Sequence, residues 1–207
     1  MAKPISKTTK DVRNKIIESA IKSFAKKGYS NTSLRDIALD AKISKGGLYH
    51  HFPTKEDLFI AVCAHSKDLT MKKTLEFLEK KGVFTINGKR NLFENLCEYY
   101  DNIVVKTKTL ERVWVEGIME AAQNPKLRKL MLKIEKQNLL LGTEWLKQIR
   151  NSSSLLQGYT DLELLDVANG FGAIYKGIIL DGMMGKEPKA IRMTWVRTIY
   201  AIYNTKK

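Results

Sequence analysis

Ser33 to Phe52 reads S-L-R-D-I-A-L-D-A-K-I-S-K-G-G-L-Y-H-H-F, and two short helical patterns meet inside it across a tight turn. In the first, Leu34, Ile37, Ala38 and Ala41 recur at steps of three and four, so one face is apolar while Arg35, Asp36 and Asp40 point to water. Ser33 is placed to cap that helix, with Asp36 in the position of a capping-box acid. Ser44 opens the same arrangement again, and Leu48 with Phe52 supplies the inward face of a second helix. Its outward residues are Lys45, Gly46, Gly47, Tyr49, His50 and His51.

Two glycines in the first turn of a helix are each unfavourable by roughly 1 kcal/mol against alanine. Close approach of this backbone to a large partner is a sufficient reason for them, and flanking Ser, Lys, Tyr and His side chains suit phosphate oxygens. That combination describes the second helix of a helix-turn-helix entering a DNA major groove. A plain Gly-Gly loop between two core helices leaves the polar cluster unexplained.

Residues 12–62, with T-S-L-R-D-I-A, I-S-K-G-G-L-Y-H-H-F and T-K-E-D-L-F, resemble the DNA-binding domain of the TetR family of bacterial transcriptional regulators. The resemblance covers about a quarter of the chain. At Lys42 the family commonly has glycine, which turns in a left-handed conformation; a non-glycine there costs roughly 1 to 2 kcal/mol if that conformation is kept. A phosphate contact by Lys42, or a slightly different turn, are the alternatives.

Composition bounds the rest. The chain has 207 residues, 43% hydrophobic, which allows one sizeable domain or a small domain fused to a larger one. A net charge of +14, from 36 Lys and Arg against 22 Asp and Glu, points to a polyanionic partner. The excess per residue is greater in residues 1–60, although the remainder is also basic. Cys63 and Cys97 show no zinc spacing and suit a reducing cytoplasm. The N-terminus M-A-K-P-I-S-K-T-T-K lacks the apolar core of a secretory signal, and no apolar run reaches transmembrane length. No metal, cofactor or membrane role is expected. Neither a nucleophile elbow nor a phosphate-cradling loop is present, and no catalytic constellation suggests an enzyme.

The expected fold is all-α, with about nine helices: an N-terminal three-helix helix-turn-helix domain followed by a larger helical ligand-binding and dimerisation domain. Residues 1–9 read as a flexible basic arm and 10–53 as the DNA-binding domain. A helix over about 54–81 links it to 82–207, beginning with a loop at Gly82–Lys89. Thr54 and Asp57 announce that linking helix, which at some 25 residues spans roughly 38 Å. Further helical patterns run over about 92–107, 110–122, 125–150, 161–184 and 188–203. Asn124–Pro125 and Thr160 with Glu163 mark two of the starts.

The helix at 161–184 is apolar around most of its circumference, so it should be buried on more than one side. Phe171, Ile174 and Ile178, with Trp195 and Ile199 of the last helix, are the candidate contacts to a second subunit. The resemblance implies a four-helix dimer interface built from these two helices, and a two-fold dimer reading two half-sites is independently what a short reading helix requires. Tyr100, Trp114, Met119, Trp145, Phe171 and Tyr175, with Tyr99, can line a cavity for an apolar small molecule, or simply form core. Glu116, in an apolar stretch, is the polar candidate: it can receive a ligand's cation or hydroxyl, or pair with a nearby Arg or Lys.

The leading expectation is a cytoplasmic, homodimeric repressor released from a palindromic double-stranded DNA operator by an unidentified small-molecule inducer. In it, Thr32, Ser33, Ser44, Tyr49, His50 and Lys55 meet phosphates, with Lys42 available to do so. Lys45 and Arg35 reach base edges, and Gly46 and Gly47 permit the approach. The alternative is a ligand-independent architectural or protein-recruiting DNA-binding protein.

Overall fold

The computed structural model describes residues 7–81 and 92–204. The first six residues of the expected arm and the expected loop at Gly82–Lys89 lie outside them. The described chain is all-α: α1 Lys7–Lys27, α2 Leu34–Asp40, α3 Lys45–His51, α4 Lys55–Lys81, α5 Leu92–Tyr99, α6 Val105–Ala121, α7 Pro125–Ser152, α8 Asp161–Met183 and α9 Pro188–Asn204. Residues 7–9, expected to end the arm, are instead the first turn of α1.

The sequence predicts a break near Thr107–Leu110, where Lys, Thr, Lys and Thr interrupt the apolar pattern. Instead the helix runs through that stretch, and the irregularity lies earlier, as a π turn over Tyr100–Val104 between α5 and α6. The Val105 N–H bonds the Tyr100 carbonyl, five residues back. Thr107 is tolerated mid-helix because its hydroxyl donates to the Ile103 carbonyl at 2.8 Å.

The chain divides into two compact units, one of residues 1–69 with 109–131 and one of 70–108 with 132–207. In the first, Ile16, Ile17, Ala20 and Phe24 of α1 are buried together with Ile37, Leu48, Leu58, Phe59, Val113, Trp114 and Leu127. Phe24 meets Phe59 edge-on at 4.9 Å, and Tyr29 lies 4.5 Å from Phe59. Two seven-residue helices such as α2 and α3 bury too little alone, and α1 supplies the surface they lack. In the second unit α9 packs on α5 and α8. Tyr99 stacks on Trp195 at 5.7 Å, and Arg192 forks onto Asp101 with contacts of 2.8 and 2.7 Å. This bidentate bond with Arg192 holds the Asp101 carboxyl below the usual carboxylate range.

Candidate nucleic-acid interface

The caps expected from the sequence form. The Ser33 hydroxyl accepts from the Asp36 N–H at 3.1 Å, and the Ser44 hydroxyl from the Gly47 N–H at 3.0 Å. Between them α2 ends in a Schellman motif: the Lys42 N–H bonds the Leu39 carbonyl and the Ile43 N–H bonds the Ala38 carbonyl. Lys42 is the residue of that motif which must turn left-handed, and it does so, with φ +56°. The conformation favoured by glycine is therefore kept by a lysine. Lys42→Gly is expected to raise stability by about 0.5–1 kcal/mol, since relief of roughly 1–2 kcal/mol of strain exceeds the added entropy of the unfolded chain. Chemical denaturation measures it.

On α3, Leu48 is buried, while Lys45, Gly46, Tyr49 and His50 are exposed, as are Ser44, Arg35 and Lys42. The Lys45 ammonium lies 5.8 Å from the Tyr49 ring centroid. The two glycines differ. A Cβ at Gly47 would come within 3.2 Å of the capping Ser44 hydroxyl, so the fold itself favours glycine there. A Cβ at Gly46 would meet nothing within 4 Å, so nothing in its own unit calls for glycine.

Thr32 and Lys55, expected at phosphates, have structural bonds. Thr32 is buried and its hydroxyl donates to the Gly28 carbonyl at 2.8 Å. The Lys55 ammonium donates to the Ser30 carbonyl at 3.1 Å and sits 4.4 Å from the Tyr29 ring centroid; burial holds its pKa below the ordinary lysine value. Both fix the segment between α1 and α2 from beneath. Arg13 lies 5.0 Å from the Phe52 ring centroid, a position at the edge of the head that residue spacing along α1 alone did not single out.

His51 is half-buried, and burial, with His50 and Arg13 nearby, keeps its imidazole pKa below the usual 6.5. The folded state therefore binds fewer protons than the unfolded one below about pH 6.5. The stability contributed by neutral His51 is complete above that value and is lost as pH falls through the lower folded pKa. His51→Gln is expected to flatten this acid-side slope, measured as unfolding midpoint between about pH 7 and 5.

Glu116 has a partner that the sequence did not suggest. Its Oε1 accepts from the Tyr29 N–H at 2.7 Å, directly after Gly28, which ends α1 with φ +77°. A Cβ on Gly28 would lie 2.9 Å from that same oxygen. Next to it, a Cβ on Gly117 would lie 2.9 Å from the Cys63 sulfur, whose thiol burial pushes up to about 12. Lys126 of α7 bonds Asp57 of α4 at 2.6 Å. Residues 109–131 thus belong physically to the unit that carries the helix-turn-helix.

The other candidates for a cavity divide between the units. Trp114 and Glu116 lie in the first, as does Met119, which is 69% exposed. Tyr100, Trp145, Phe171 and Tyr175 lie in the second, where Tyr100 is buried on Trp195 and Phe171 packs on Tyr203 at 5.7 Å. Of the candidate dimer contacts, Ile178, Trp195 and Ile199 are buried within their own chain, while Phe171 and Ile174 are half-buried. The outward stripe of α8 is Leu162, Asp166, Asn169, Ala173, Gly177 and Leu180, continued by Met184 at its C-cap. Among the described residues no helix is long and apolar enough to cross a membrane.

Residues 16–62, which hold α2, α3 and their supports, match the family profile of the bacterial regulatory proteins of the tetR family. This match identifies the helix-turn-helix segment as a TetR-family DNA-binding domain. The chain is 34% identical over 135 residues to YuxN of Bacillus subtilis, an uncharacterised HTH-type transcriptional regulator, a match that covers 63% of this chain and 45% of that one. It therefore spans less than half the length of this curated relative. It is also 44% identical over 48 residues to the Staphylococcus aureus negative transcriptional regulator IcaR, 23% of this chain and 26% of the relative. A Rhodococcus sp. crystal structure shares the fold of this chain at TM-score 0.75 and 14% identity, over 94% of this chain and 100% of the other. A Saccharomonospora viridis protein solved in complex with choline does so at TM-score 0.73 and 20% identity, over 94% and 97%.

Proposed function

We propose that the chain is a homodimeric transcriptional repressor that reads a palindromic DNA operator through α3 and releases it when a small molecule binds. Gly46 carries the reading. Glycine in the first turn of a helix is unfavourable, no neighbour within its unit requires it, and the residues around it are exposed, basic or aromatic. Close approach of a bulky polyanion accounts for all three features. The outward stripe of α8 supports association of two copies: apolar Leu162, Leu180 and Met184 flank small Ala173 and Gly177, which allow helices to approach closely. IcaR's description as a negative regulator supports repression, and the choline complex of a similarly folded protein supports a small-molecule signal.

Gly46→Ala separates this reading from a structural role. The variant is expected to gain about 0.5–1 kcal/mol of stability from alanine's helix propensity. It is expected to lose tenfold or more in affinity for duplex DNA, followed by fluorescence anisotropy. A variant that binds DNA as the parent does would show that the glycine does not serve close approach to DNA.

A further inference from the structure

The first unit also contains a buried charged pair that the helix-turn-helix does not use. Glu111 of α6 is 2% exposed, and its Oε2 accepts from the Lys67 ammonium of α4 at 2.8 Å. The same ammonium lies 5.0 Å from the ring centroid of Trp114, likewise 2% exposed. The second carboxylate oxygen, Oε1, is buried with no hydrogen-bond partner among the described residues. So are the hydroxyls of Ser66, next to Lys67, and of Thr70, both on α4. The mid-helix hydroxyls of Thr107 and Thr143, by contrast, donate to the carbonyl four residues back.

Native structures almost always satisfy buried polar atoms, and an exception calls for an explanation, such as an ordered water, an ion or a ligand. An ion pair kept for structure alone has little reason to desolvate a whole carboxylate and use half of it, because desolvation is recovered only when the remaining lone pairs are also bonded. We propose that Glu111 Oε1 is the recognition point for a small neutral ligand bearing a hydrogen-bond donor, a hydroxyl or an amide N–H, bound beside the Lys67–Trp114 pair. Charge selects the class. Lys67 already neutralises Glu111, so a ligand cation or anion would bring an uncompensated charge into a buried site, whereas a neutral donor satisfies the oxygen and adds none. Sites built around a buried polar group reject analogues that lack the matching group far more strongly than they reject analogues differing by a methylene. This ligand chemistry rests on the reading of the chain as a ligand-responsive regulator, whose signal it specifies.

The test uses the full chain and matched probes: benzyl alcohol against benzyl methyl ether, acetanilide against N-methylacetanilide, and benzylammonium as the charged control. Dissociation constants come from NMR titration, with tryptophan fluorescence as a second signal. At least one donor probe is expected to bind tenfold or more tighter than its partner, and benzylammonium no tighter than benzyl alcohol. In Lys67→Met/Glu111→Met the preference should fall to within twofold. Exchanging a buried pair for apolar residues of similar volume commonly preserves stability, which thermal melting checks; if the double variant does not fold, an intermolecular NOE from the bound donor probe to the Trp114 ring of the parent serves, and its absence refutes the proposal. No donor preference in the parent, an equal preference in the variant, or tighter binding of benzylammonium would each overturn the proposal. Duplex DNA binding, measured on the same samples, separates the two readings: a parent that binds DNA but shows no donor preference leaves the regulator reading standing and refutes this one. A parent that does not bind DNA refutes the regulator reading whatever the probes do.

Discussion

Gly28→Val is expected to destabilise the protein by about 3 kcal/mol, from two additive causes. Gly28 ends α1 at φ +77°, where a β-branched residue costs roughly 1–2 kcal/mol. The new Cβ would also stand 2.9 Å from Glu116 Oε1, so the carboxylate has to move away. Moving it breaks the 2.7 Å bond from the Tyr29 N–H, and a bond to a charged acceptor contributes about 1.5–3 kcal/mol. Chemical denaturation gives the total, and hydrogen exchange at the Tyr29 amide gives the local share. A loss below about 1 kcal/mol with unchanged Tyr29 protection would mean that Glu116 does not hold this turn.

The second large effect concerns DNA. Lys45→Ala with Tyr49→Ala is expected to weaken operator binding by about 100-fold or more, because contacts to phosphates and base edges contribute on the order of 1–3 kcal/mol each and a dimer loses each one twice. Stability should change by no more than about 0.5 kcal/mol, as both side chains are exposed while Leu48 between them carries the packing. Anisotropy titration at fixed salt, paired with an unfolding curve, measures both. Unchanged affinity would show that α3 is not the reading helix.

These two sites illustrate what local pattern reveals and what it does not. Ser33 and Ser44 were recognisable as caps because a cap needs only a hydroxyl and the backbone N–H three residues on. The α3 surface was legible for a similar reason, since helical spacing alone decides which residues Leu48 leaves outside. Lys42 was legible as a problem but not as a conformation, for the sequence leaves open whether the turn yields or the lysine is strained. The Schellman bonds of Lys42 and Ile43 show that the lysine takes the strain. Glu116 was visible only as a polar residue in an apolar helix. Its partner lies 87 residues away, a separation that no periodicity encodes. The π turn at Tyr100–Val104 escaped notice because a π turn has no capping or glycine signal, whereas the polar run 106–109 imitates a helix end.

The dimer candidates follow the same logic. Apolar spacing placed Trp195 and Ile199 on a contact face, but it cannot say whether that face meets the same chain or another. Tyr99 and Tyr100 of the same chain take up Trp195. The outward α8 stripe, with its smaller residues, is the face proposed to meet a second copy.

Selection of duplexes from a random-sequence library by the full chain, followed by footprinting of the selected site, tests operator reading by a dimer most directly. The expected result is a two-fold symmetric site, with two protected half-sites separated by about one helical turn or a whole multiple of it, bound by two chains and lost in the Lys45→Ala/Tyr49→Ala variant. Enrichment of no sequence, or of an asymmetric site bound by one chain and retained by that variant, would contradict it.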